Sequence, residues 1–177
     1  MRARLLLLAG ALLAGCSADP AAAPAPTSSA SSTPAPPSTL APGEACPVTH
    51  PSVFRPPDGV APGSLFGSAT SHGNGTLWVG ALGPDGVITA APDFVEADGA
   101  IGWKLGWWRA GRGRLTITGH RLDAAAPPLR ADVPDGYGDT GFQASGVYFP
   151  AEGCWAVTGD IGTDPLTFVT LVRKLSP

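Results

Sequence analysis

Lysine is almost missing from this sequence of 177 residues: Lys104 and Lys174 are the only two. Charged residues make up 14% of the chain, and 11 basic against 14 acidic side chains leave a formal net charge of −3. A chain of that balance lacks the basic footprint that collects phosphates, which argues against nucleic acid as a partner. No run of like charge forms a solvated arm. No segment is apolar over the roughly 20 residues needed to cross a hydrocarbon core as a helix. Gly-x-Ser-x-Gly, His-Glu-x-x-His, Gly-x-x-x-x-Gly-Lys and Cys-x-x-Cys are all missing. The sequence therefore offers no nucleophile elbow, zinc-hydrolase helix, phosphate loop or redox thiol pair.

What is present is 20 prolines and 24 glycines, unevenly spread. Arg2 and Arg4 precede a short apolar stretch, Leu5 to Leu13, which has the form of an export signal. It ends Leu13-Ala14-Gly15-Cys16. An aliphatic residue, two small residues and a cysteine resemble the lipobox of bacterial lipoproteins. The resemblance implies a diacylglyceryl group on the Cys16 thiol, cleavage before Cys16, and a freed amine open to an acyl chain such as palmitate. The expected location is then the extracytoplasmic face of the cell membrane, with the membrane itself as the partner through the lipid. Loss of residues 1–15 leaves nine basic against fourteen acidic side chains, a net charge of −5.

Ser17 to Gly43 contains 27 residues, of which 24 are Ala, Pro, Ser or Thr and seven are Pro. Such a segment cannot offset its ordering entropy by packing, so 16–43 reads as a lipidated cysteine and a disordered linker. As a coil it spans on the order of 30 Å, and fully extended about 80 Å.

Residues 44–177 read as an all-β domain. Strands are expected at 75–82, 87–90, 100–109, 114–120, 129–133, 144–149, 154–161 and 166–172, with Pro84-Asp85-Gly86 folding the first two into a hairpin. No segment sustains a 3.6-residue period. Short strands broken this often by Gly and Pro argue a sandwich or a barrel, and an antiparallel β-sandwich is the expected fold. Alternation assigns Ile101, Trp103, Leu105 and Trp107 to the core face, and Gly102, Lys104, Gly106 and Trp108 to the other, with Arg109 set beside Trp108. Leu115 and Ile117, and later Trp155, Val157 and Ile161, also face inward.

The run Phe149-Pro150-Ala151-Glu152-Gly153-Cys154-Trp155-Ala156-Val157-Thr158-Gly159 resembles the penultimate strand of immunoglobulin-like bacterial domains, with 166–172 as the final strand. No tyrosine stands two residues before Cys154, so the tyrosine corner is missing. Trp107-Trp108-Arg109, Leu115-Thr116-Ile117-Thr118-Gly119 and Gly153-Cys154-Trp155 together resemble a set of uncharacterised secreted bacterial proteins, a likeness that implies no activity. With Cys16 lipidated as the lipobox implies, Cys46 and Cys154 are left as a pair. In an exported domain this reads as a disulfide, the alternative being two separate buried thiols.

Chemistry is sparse. Ser71 and His72 are adjacent on the chain and point apart, a poor start for a hydrolase triad. His50, His72 and His120 are isolated, and the single methionine a copper site would want is Met1, so neither a metal nor a cofactor is expected. Asp132, Asp135 and Asp139 cluster, but their spacing matches no EF-hand, and Pro134-Asp135-Gly136 is turn chemistry. The candidate ligand contacts are Trp108, on the outward face, with His120, Asp135 and Asp139. The leading expectation is a non-enzymatic, membrane-anchored binding or structural module. A carbohydrate or cell-wall binding module acting through Trp108 is the second reading, and a small extracytoplasmic enzyme or metal-binding protein the third.

Overall fold

A computed structural model describes residues 39–53 and 71–176. The signal stretch, Cys16 and the linker as far as residue 38 lie outside the described residues. Among the described residues nine strands form two sheets: β1 (His72–Gly73), β2 (Leu77–Gly80), β3 (Val87–Ala90), β4 (Ile101–Arg109), β5 (Thr116–Arg121), β6 (Arg130–Asp132), β7 (Gly141–Phe149), β8 (Gly153–Asp160) and β9 (Leu166–Lys174). The five-stranded sheet has the order β1-β2-β4-β7-β6, and the four-stranded sheet the order β3-β9-β8-β5. The arrangement is all-β and sandwich-like, as the alternation and turn residues predict.

The core lies between the sheets. Ile101, Leu105 and Trp107 of β4 meet Trp155 and Val157 of β8 and Phe168 of β9 in one buried cluster. Trp103 shares their face but is only half-buried, and it packs against the edge of that cluster. Its indole N–H donates to the Ala81 carbonyl at 2.8 Å, and its ring lies 5.4 Å from Phe94. Arg109 departs from expectation. Strand parity continues to the end of β4, so its side chain follows Trp107 inward and is only 4% exposed.

The expected hairpin between β2 and β3 does not form. Both edges of β2 are occupied, by β1 on one side and β4 on the other, so β3 has no edge to join. The chain instead crosses between the sheets. Ala81 takes a left-handed backbone (φ 64°), the Gly86 N–H closes a turn on the Gly83 carbonyl at 3.0 Å, and β3 pairs in parallel with β9, Val87 opposite Leu171. The sandwich is therefore not wholly antiparallel.

Residues 39–49 form a strap on the four-stranded sheet, and Ser52 then bridges Ser71 just before β1 of the other sheet. Leu40 N–H donates to the Leu122 carbonyl, Thr49 N–H to the Val169 carbonyl, and Val169 N–H to Thr49 Oγ1. Leu40 and Cys46 pack on Leu122, Cys154 and Ala156, giving the outer face of the four-stranded sheet a small second core. Cys46 and Cys154 are joined as a disulfide with their Cα atoms 5.5 Å apart. Residues 39–43, assigned to the linker by composition, thus include Leu40, which is held on the sandwich.

Candidate functional site

The outer face of the five-stranded sheet carries a cleft. β4 and β7 are paired over their full length, which sets Gly102 opposite Tyr148, Lys104 opposite Gly146, Gly106 opposite Ala144 and Trp108 opposite Phe142. Three glycines and an alanine leave a shallow trough where larger side chains would stand. Tyr148 lies along it: a Cβ at Gly102 or Gly146 would come within 3.5 Å of the Tyr148 ring. Over this floor opens a cleft of about 320 Å³, with Phe94 and Tyr148 as its aromatic walls and Lys104, Glu96 and Asp132 at its rim.

Local sequence places these groups. The 3₁₀ turn Pro92–Phe94 closes on the Ala91 carbonyl, and Glu96 N–H donates to the Ala100 carbonyl, so Phe94 and Glu96 project beside the start of β4. Asp98 Oδ1 accepts from the Ala100 N–H at 3.0 Å and its other oxygen lies 3.6 Å from Arg130. The Arg130 guanidinium in turn lies 4.7 Å from the Tyr148 ring centre. The result is aromatic and C–H surface beside exposed carboxylates and one ammonium. That combination can stack on an apolar ring face and accept hydrogen bonds from hydroxyl groups.

Sequence and structure agree that Trp108 faces outward. It stands in a cross-strand row with Trp78 and Phe142, and Tyr137 meets Phe142 edge-on at 6.2 Å. The row shares the outer face with the cleft but does not line it. His120 is on β5 in the other sheet, paired with Ala156, and borders a groove near Leu40. Asp135 and Asp139 lie in a second cleft at one end of the sandwich, 3.3 Å from Arg114 and 3.0 Å from Arg112. Trp108, His120 and the aspartates therefore occupy three separate places.

No protein-family model and no curated protein matches this chain.

Ser71 and His72 fall on opposite sides of β1. Ser71 is buried with its Oγ unpartnered, and burial holds the His72 imidazole below its ordinary value. Near His120, burial raises the Asp123 carboxyl, but hydrogen bonds from Arg121 and the chain at Cys154, together with the Arg121 charge, bring the net value below the ordinary one. Among the described residues no three His, Cys, Asp or Glu side chains are grouped to hold a metal ion. Phe94, Glu96 and Tyr148 were not singled out from the sequence. The available signal was the pair of glycines at outward positions in two long strands, which empties a sheet face beside a register-paired tyrosine.

Proposed function

We propose that this chain is a lipid-anchored, extracytoplasmic, non-enzymatic binding module that holds a saccharide of the cell envelope on the outer face of its five-stranded sheet. The observation that carries the reading is the cleft formed by Phe94 and Tyr148 over a glycine floor, with Glu96 and Asp132 at its rim. Aromatic walls suit the apolar faces of sugar rings, and carboxylates suit their hydroxyls. The strap supports the same reading. Its Leu40 and Cys46 are held on the sheet opposite to the cleft.

We also read the sandwich as immunoglobulin-like. In its support, β2, β4, β7 and β6 follow the A-B-E-D order, and β5, β8 and β9 the C-F-G order, with β3 as a first strand that changes sheets. The disulfide departs from the antibody pattern, because Cys154 on β8 reaches the strap and not the equivalent of strand B.

Two measurements test this. Titration of the full chain with soluble glycan-strand fragments, followed by tryptophan fluorescence, is expected to saturate, and Tyr148→Ala to weaken binding roughly fivefold to tenfold, the loss of one aromatic contact. No saturation, or an unchanged affinity in Tyr148→Ala, rejects the saccharide. Cys16→Ser is expected to move the protein from the detergent phase to the aqueous phase, because a myristoyl-length chain already supplies an association constant near 10⁴ M⁻¹. Unaltered partitioning rejects the anchor.

A further inference from the structure

The second cleft, of about 390 Å³, lies between the β4–β5 turn and the loop before β7. Its inner wall is Arg109, carried inward by strand parity. Arg109 Nη1 donates to the Gly113 carbonyl at 3.1 Å and Nη2 to the Gly138 carbonyl, while Nε has no partner. A guanidinium keeps its charge at any ordinary pH. Among the described residues no carboxylate pairs with it. The two acids of the cleft, Asp135 and Asp139, pair instead with the exposed Arg114 and Arg112. Three guanidiniums thus surround two carboxylates, and the buried one is the one left without an acid. A buried charge with no counter-charge is strongly destabilising, and packing alone does not account for it.

Gln143 sharpens the demand. It is 6% exposed, its Nε2 donates to the Pro134 carbonyl at 3.1 Å, and its Oε1 is buried without a partner. The same wall therefore presents a cationic donor and a neutral acceptor, both unsatisfied. An anion that carries its own hydrogen-bond donor satisfies both, and a carboxylate standing beside an amide N–H is such a group.

We infer that this end of the sandwich binds the carboxylate of an N-acylated amino acid, as at a peptide C-terminus, with Arg109 taking the carboxylate and Gln143 Oε1 accepting the neighbouring amide N–H. Entry requires the Pro134 and Gly138 carbonyls to release the two side chains. What holds the loop from outside is weak: the Arg112–Asp139 and Arg114–Asp135 pairs are exposed. Once opened, Arg112 and Arg114 add their charge at the rim. The inference is independent of the saccharide reading, although the 132–139 segment borders both clefts.

The test is an NMR titration of the isotope-labelled full chain with N-acetylglycine, N-acetylglycinamide, acetate and inorganic phosphate, read at the Arg109 Nε–H and the Gln143 side-chain amide. N-acetylglycine is expected to shift both signals and saturate, with N-acetylglycinamide, which lacks the carboxylate, at least about tenfold weaker, the loss of one charge-assisted contact, and acetate and phosphate, which lack the amide N–H, also weaker. Equal binding of the amide, equal binding of acetate or phosphate, or no shift at either side chain overturns the proposal.

Discussion

Replacing both Cys46 and Cys154 by alanine is expected to lower the unfolding free energy by about 4–5 kcal/mol. The two residues are 108 apart in sequence, and closing a loop of that size removes about this much entropy from the unfolded chain. Domains of this kind are stable by roughly 5–15 kcal/mol in total, so the loss approaches or exceeds a third of it. The native state changes as well. Without the covalent link, the strap keeps its backbone bonds at Leu40 and Thr49 and the contact of Leu40 with Leu122 and Ala156. That is a small core, so the strap should open on its own below the global transition. Urea unfolding of the wild type and the double variant measures the first effect, and hydrogen exchange at the Thr49 and Val169 amides the second. A loss under about 1 kcal/mol would show that the unfolded chain already keeps the two segments close, since the entropy argument assumes that it does not.

The pairing of these two cysteines was open to inference only once a third had been assigned to lipid, because three thiols allow three pairings. Other features were legible in proportion to how local they are. Alternation in 101–109 and 114–120 reads directly as faces, and the core side chains of β4 and β5 follow from it, whereas β8 is buried on both faces because the strap covers Cys154 and Ala156. Which sheet a strand joins is not local. Nothing in 87–90 reports that β2 has no open edge, so the turn at Pro84-Asp85-Gly86 suggests a hairpin that the topology forbids. The same gap separates Trp108 from His120. Both face outward, but from different sheets, and strand period carries no information on that. Arg109 failed for another reason: its parity pointed inward, and its charge suggested the surface. The outer-face cleft draws on Phe94, Trp103, Asp132 and Tyr148, residues brought together by strand pairing and not by any spacing.

Trp107→Ala should be as damaging as loss of the disulfide, by a different route. Trp107 is fully buried between the sheets, 6.4 Å from Phe168 centre to centre, and its indole N–H donates to Ser145 Oγ at 3.0 Å. Truncation of a buried aromatic costs about 3–5 kcal/mol through lost transfer energy and the cavity left behind. The stranded Ser145 hydroxyl adds about 1 kcal/mol or more, because it is buried and has lost its donor. Ser145→Ala alone, which strands the indole N–H, should cost about 1–3 kcal/mol. Gly159 supplies the decisive control. It sits under the indole, and a Cβ there would collide with the six-membered ring. Gly159→Ala should therefore cost about 1–3 kcal/mol in the wild type, as overpacking does, and much less beside Trp107→Ala, where the ring is gone. Thermal or urea unfolding of the four proteins in that cycle isolates the coupling. A Gly159→Ala penalty that persists in the Trp107→Ala background would mean that the glycine serves the backbone of β8 and not the ring above it. Unlike the cysteine pair, which acts largely through the unfolded chain and should change the denaturant slope, this pair acts in the native core and should leave that slope unchanged.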